Sequence, residues 1–177
     1  MVEMMRRSVL EGVSELKLRS SIKVAALAPK QRWILRVGAE GSAEAGVAFG
    51  VDLAQVPCRA VASGEKSAVW LGPDEWLLIA PVDTAAPVVS APHSLVDVSH
   101  RQTAMEVSGT RAVDLLNTGV MLDLRLSAFP MGMCARTLLG KADVVLWRKE
   151  TQVFHLEVWR SFAPYVHEFL IQASLGL

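Results

Sequence analysis

The chain carries one local grammar twice, and that duplication narrows the architectures open to it more than any other feature. In residues 97–124, Thr103, Met105 and Val107 alternate with Gln102, Ala104 and Glu106, the period of a half-buried strand, until Ser108-Gly109 breaks it. Ala112, Val113, Leu115 and Leu116 then fall at helical spacing on one face. A helix is expected at 110–118, with Thr110 capping its first turn and Gly119 taking the left-handed position past its last. Earlier, Trp33-Ile-Leu-Arg-Val37-Gly38 leads into a small-residue helix and then Gly50-Val-Asp52-Leu53. Val37 corresponds to Val107, Asp52 to Asp123, Pro57-Cys58-Arg59 to Met133-Cys134-Ala135, and Ala68-Val-Trp70 to Val145-Leu-Trp147, at an offset of about 70 to 77 residues. A period that long, occurring twice, implies two fused and packed half-domains rather than a solenoid.

The remaining segments fit that plan. Residues 1–30 read as an N-terminal arm, with a capping box at Ser8-Val-Leu-Glu11 and Pro29 ending whatever helix follows. The first half (31–95) is expected to hold a strand at 32–37, a helix at 42–49, and strands near 57–62, 66–71 and 75–80, with turns at Ser63-Gly64 and Gly72-Pro73-Asp74. Residues 81–95, with Pro81, Pro87 and Pro92, read as a linker between halves. The second half (96–177) repeats the order, with strands near 101–108, 133–139, 142–148 and 152–159 and a last helix near 163–174. Runs of strands with few helices imply an α+β fold of antiparallel sheets with helices packed on them, in one compact two-lobed domain.

Half of the 177 residues are hydrophobic, enough for a sizeable core, and 18 basic residues balance 18 acidic ones. No net field would draw in nucleic acid or an anionic membrane. No apolar run approaches the roughly 18 to 20 residues of a bilayer span, and Glu3, Arg6, Arg7 and Glu11 stand where a secretory core would lie. A cytoplasmic location is the expectation. Cys58 and Cys134, at equivalent repeat positions and outside any CxxC motif, read as buried small apolar residues.

Few residues are arranged for chemistry. His93, His100, His155 and His167 lack partners at metal-ligand spacing, and the glycine-rich phosphate signatures are absent. Asp97 and His100, three residues apart at a strand entry, could act as an acid/base pair, but an Asp in a turn more often accepts hydrogen bonds from local backbone. Gly72-Pro73-Asp74-Glu75-Trp76 is either a contact surface or, as favoured, a turn whose tryptophan anchors the next strand. Arg101, Arg136, Arg148 and Arg160 recur at strand ends, where solvation is the simpler role and gripping a carboxylate the more specific one. Trp33, Trp70, Trp76, Trp147 and Trp159 exceed what a small core usually takes, which mildly favours an interface, while their placement in expected strands fits plain core packing.

Several segments together carry a family resemblance over nearly the whole chain. They are Gln31-Arg-Trp-Ile-Leu-Arg36, Trp70-Leu-Gly-Pro-Asp-Glu-Trp-Leu77, Asp97-Val-Ser-His-Arg-Gln-Thr103, Asp114-Leu-Leu-Asn-Thr-Gly119, Phe129-Pro-Met-Gly-Met-Cys-Ala-Arg-Thr137 and Val158-Trp-Arg-Ser-Phe-Ala163. The chain resembles the gamma subunits of heterotetrameric sarcosine oxidases. Its Asp97-Val-Ser-His100 strand entry and Val107-Ser-Gly109 are also similar to the folate-binding aminomethyltransferases of the glycine-cleavage system, over about 150 residues and more loosely.

The resemblance implies an aminomethyltransferase-like fold and a complex of alpha, beta, gamma and delta chains. That complex oxidises sarcosine to glycine, makes hydrogen peroxide and passes the one-carbon unit to tetrahydrofolate. FAD, FMN, NAD, tetrahydrofolate and zinc are implied for the other subunits and none for the gamma chain. Aligned with the aminomethyltransferases, their adjacent Asp-Asp pair falls on Ala142-Asp143, so the first carboxylate would be missing. The sequence also stops at Leu177 without their C-terminal barrel, which again lowers the expectation of transferase activity. The leading expectation is a noncatalytic subunit that packs on the large flavoprotein chain; the sequence leaves open whether the isolated chain self-associates. Its rivals are a stand-alone folate-binding one-carbon transferase or folate-binding module using Asp97, His100 or Asp143, and a module holding another small molecule between the halves.

Overall fold

A computed structural model of the chain describes residues 9–10, 16–18 and 21–177. Ser8 and Glu11, the two ends of the expected capping box, lie outside the described residues. The described strands form two antiparallel sheets. The five-stranded sheet contains β3 (Gln31–Val37), β4 (Ala60–Ser63), β5 (Lys66–Gly72), β6 (Glu75–Ala80) and β7 (His93–Asp97), in the order β4-β5-β6-β3-β7. The six-stranded sheet contains β1 (Leu16–Leu18), β2 (Ile22–Ala26), β8 (Gln102–Ser108), β9 (Cys134–Leu139), β10 (Ala142–Glu150) and β11 (Val153–Trp159), in the order β1-β2-β8-β11-β10-β9. Helix α1 (Ala39–Phe49) covers the first sheet, while α2 (Ala112–Asn117) and α3 (Ala163–Ser174) cover the second.

The α+β architecture of antiparallel sheets with packed helices is therefore as the sequence implies. Strand alternation divides the side chains among three apolar layers. Trp33, Leu35 and Val37 of β3 meet Trp76, Leu78 and Ala80 of β6 and Ala45 and Phe49 of α1. Met105, Val107, Val144, Leu146, Phe154 and Leu156 meet Leu115 and Leu116 of α2 and Val166 and Leu170 of α3. The alternate residues Val69, Leu71, Leu77 and Ile79 from one sheet and Cys134, Val145 and Trp147 from the other form the layer between the sheets.

The repeat is visible strand for strand: β4-β5-β6-β3 has the order of β9-β10-β11-β8. The equivalent cysteine segments meet, with Cys134 N donating to Cys58 O at 2.9 Å and Arg59 bridging Met133. The strands that precede each repeat are exchanged: β2 pairs with β8, and β7 pairs with β3. Thus Ile22–Ala26, in the stretch read as an arm, is an inner strand of the six-stranded sheet, with Val24 fully buried. β7 falls where a linker was expected; it is an edge strand whose side chains are mostly exposed, so no apolar alternation marks it.

Two local expectations fail. Helix α2 begins after Arg111 without a side-chain cap, so Thr110 does not cap it. Gly119 is not left-handed; Thr118 closes α2 in helical geometry, and Gly119 is needed for close approach, because a Cβ there would lie 2.6 Å from Phe169 of α3. Trp76, by contrast, is the anchor expected after the Gly72-Pro73-Asp74 turn: it is buried, and its Nε1 donates to Ala54 O at 3.1 Å.

Gly109 ends β8 at φ +116°, and a Cβ there would lie 2.2 Å from Ser21 O. Gly109→Ala should therefore cost about 2–4 kcal/mol through combined backbone strain and overpacking, read as a lowered urea midpoint with an unchanged slope.

Candidate functional site between the sheets

Charged residues in otherwise apolar strands define the site. Arg32 interrupts the inward face of β3 and Glu157 that of β11; both side chains are at most 2% exposed. Their pairing is bidentate, with Arg32 Nε donating to Glu157 Oε2 at 2.8 Å and Nη2 to Oε1 at 3.0 Å. The Nε2–H of His155 donates to the same Oε1 at 2.8 Å, and Arg32 Nη1 donates to Lys30 O at 3.1 Å. Burial pushes the Glu157 carboxyl up, but the adjacent Arg32 charge and the His155 hydrogen bond outweigh it and hold the group below its ordinary value.

This cluster stands between two cavities. Glu157 lines one of 370 Å³, together with Ile34, Arg101, Gln102, Arg136 and Asp143. Arg136 of β9 reaches Glu75 of β6 at 3.0 Å, tying the sheets across it, and the Arg101 guanidinium lies 5.3 Å above the Trp159 ring. The Gln102 side chain is 8% exposed, and its Oε1 has no donor among the described residues. Arg32 and His155 line the other cavity, of 400 Å³. The two occupy corresponding places in the repeat, since Arg32 pairs with Ile79 as Gln102 pairs with Trp159.

The residues singled out from the sequence are not gathered at one point. Asp143 is exposed on the rim of the first cavity. Asp97 ends β7, accepts from Ser99 N at 2.8 Å and from Gln31 Nε2 at 2.7 Å, and lines neither cavity. This is the local turn bonding that its position suggested. His100 is exposed in the turn before β8 and also lines neither cavity. Ala142 is fully buried in the core under α2 and α3.

Among the four arginines, Arg101 and Arg136 border the first cavity and Arg160 is exposed, but Arg148 is not solvated. It is 1% exposed, donates to Leu124 O and Thr151 O, and lies over the Phe154 ring. Cys134 is buried as expected, and burial pushes its thiol up to about 12, whereas Cys58 is half-buried with φ 59°. Among the described residues no three His, Cys, Asp or Glu side chains are placed to hold a metal ion, and no helix is long and apolar enough to cross a membrane. Arg32, His155 and Glu157 were missed in the sequence; the signal was a charge at an inward position between large apolar residues.

Two sheets packed face to face, with helices on their outer faces, define a class. The fold matches an aminomethyltransferase T of the glycine cleavage system from Bartonella henselae with a TM-score of 0.62 at 12% identity, covering 87% of this chain and 46% of that one. It matches a chain of the heterotetrameric sarcosine oxidase from Corynebacterium sp. U-96, in complex with pyrrole 2-carboxylate, with a TM-score of 0.87 at 24% identity, covering 97% of this chain and 95% of that one. Residues 36–176 match the model of the sarcosine oxidase, gamma subunit family. The sarcosine oxidase subunit gamma of Corynebacterium sp. (strain P-1) is 34% identical over 77% of this chain and 70% of its own length. That of an Arthrobacter species is 30% identical over 96% and 90%. The chain belongs to the sarcosine oxidase gamma subunit family.

Glu157→Gln should destabilise the chain by about 3–5 kcal/mol, because it leaves the Arg32 charge buried and unpaired, while a paired Arg32→Met, Glu157→Leu change should cost much less. Because the folded Glu157 value is lowered, its contribution is present above the ordinary carboxylate range and lost as pH falls through the folded value. Denaturation midpoints across acidic pH should show that loss in the parent chain and lack it in Glu157→Gln.

Proposed function

We propose that this chain is the noncatalytic gamma subunit of a heterotetrameric sarcosine oxidase and that it acts in assembly with the large flavoprotein chain. The partners would be the alpha, beta and delta chains. FAD, FMN, NAD, tetrahydrofolate and zinc would serve sarcosine oxidation in those chains, with location in the cytoplasm. The family match over most of the sequence is the observation that carries this reading.

The position of Ala142 supports the noncatalytic part. It stands where the aminomethyltransferases were aligned with a folate-chemistry carboxylate, and it is closed into the helix-side core with no accessible surface. The surface supports the assembly part. Trp159 and Phe162, 43% and 40% exposed, lie together with ring centroids 6.4 Å apart, and Arg101 covers the Trp159 ring. Aromatic and arginine side chains of that kind are favoured in protein interfaces, and bare apolar surface would favour self-association of the isolated chain.

A folate-binding module is the second reading, favoured by the cavity beside Asp143. The two separate in one experiment, purification of the tagged chain from its native host. Yellow material with three co-purifying chains and sarcosine-dependent peroxide formation is expected. A colourless, solitary protein that binds tetrahydrofolate, and loses it on Asp143→Ala, would sink the subunit reading.

A further inference from the structure

Strand register sets a polar row into one wall of the 370 Å³ cavity. Trp159 of β11 stands opposite Gln102 of β8, and Val158 stands opposite Val144 of β10, so one step further along that ladder Asp143 flanks Trp159 on its other side. Directly opposed residues share a face of a sheet. Gln102, Trp159 and Asp143 therefore turn together towards the layer between the sheets, and all three line the cavity. Arg101 folds over the row, its guanidinium 5.3 Å from the centre of the Trp159 ring. Ile34 and Leu71 of the other sheet supply an apolar wall.

The charges around this row divide into those with partners and those without. Glu157 is paired with Arg32, and Glu75 with Arg136. The Arg101 guanidinium meets no carboxylate and Asp143 no cation among the described residues. Gln102 supplies the second, independent observation. Its side chain is 8% exposed and its Oε1 is sealed without a donor, whereas its amide nitrogen is not sealed and donates to no acceptor among the described residues. A polar group so deeply set is ordinarily satisfied, and the space its side chain lines is this cavity.

Guanidinium and amide N–H groups call for an acceptor anion, and the Asp143 carboxylate calls for a donor cation. A singly charged occupant meets one end only. Adjacent strands stand about 4.8 Å apart, so the row spans roughly 10 Å from Gln102 to Asp143, with the flat indole between. A hydrogen bond of about 2.9 Å at each end leaves about 4 Å between the two charges of the occupant, the separation across a short methylene spacer. The volume lies within the range of about 300–1,000 Å³ found for small-molecule sites.

We propose that this cavity binds a small zwitterion, its carboxylate held by Arg101 and the Gln102 amide and its ammonium by Asp143, with a short apolar spacer beside the Trp159 indole. The inference does not rest on the subunit reading, since every group it names belongs to this chain.

The test is a titration of the ¹⁵N-labelled full chain, following the Gln102 side-chain amide and the Trp159 indole by NMR, with both signals assigned by backbone-linked experiments. The probes are β-alanine, glycine, acetate and methylammonium at matched ionic strength. Saturable movement of both signals is expected with β-alanine. Acetate and methylammonium, which carry one charge each, should bind roughly tenfold more weakly, and glycine, whose charges share one carbon, should also bind more weakly. Asp143→Asn and Arg101→Gln, both at exposed positions, should each weaken β-alanine binding roughly tenfold, the loss of one charge-assisted contact. Signals unmoved by β-alanine would overturn the proposal. So would glycine, acetate or methylammonium binding as tightly, or a β-alanine affinity unchanged in either variant.

Discussion

The Arg32–Glu157 pair is the constraint on which the two-sheet packing rests. Its partners are 125 residues apart and belong to different sheets. Each would be costly in an apolar layer by itself. Together, with His155 closing the remaining carboxylate site, they tolerate burial only in one mutual placement of β3 and β11. A slip of one residue in either strand would turn its charge into the core beneath the helices, where Phe49 or Leu170 stands. The apolar layer supplies the drive for the sheets to pack; the ion pair supplies their alignment.

The same pair explains why a duplicated frame yields two dissimilar cavities. The repeat places Arg32 and Gln102 at corresponding points, each beside a partner strand's Ile79 or Trp159. At that point one half carries a cation that reaches Glu157, while the other carries an amide oxygen without a donor among the described residues. Duplication preserved the backbone plan, and divergence of a few inward side chains set the chemistry of the spaces between.

Much of this was legible in the sequence because alternation and turns are local. β5, β6, β8 to β11 and α3 follow directly from apolar periodicity and from glycine or proline punctuation, and the two cysteines align the repeat, whereas matching Trp70 to Trp147 is one residue out of register, because Trp70 pairs with Trp76 as Leu146 pairs with Leu156. What escaped notice depends on pairing across distance. β7 has too little buried surface to leave a pattern, and the placement of β2 depends on β8. Gly119 shows the same limit: the residue was marked as special, but the reason lies in Phe169 of another helix. The site divides similarly. Asp143 was recognised as a carboxylate of interest, yet nothing adjacent in the chain marks that Arg32 meets Glu157, since a lone charge in a strand does not name its partner.

The exchange of β2 and β7 between the sheets has a consequence for the order of events as the protein is made. β2 leaves the ribosome before β3 and just after its short neighbour β1, but its other pairing strand, β8, with Val24 opposite Val107, appears only after the whole five-stranded sheet has been translated. β7 can complete that first sheet as soon as it emerges, whereas the early strand must wait, its Ile22 and Val24 uncovered, until β8 is available. Contacts of such sequence separation carry a loop-closure cost and slow the final step. The nascent chain thus passes through an interval in which the first sheet is complete and the free edge of β2 is exposed to any other sheet edge nearby.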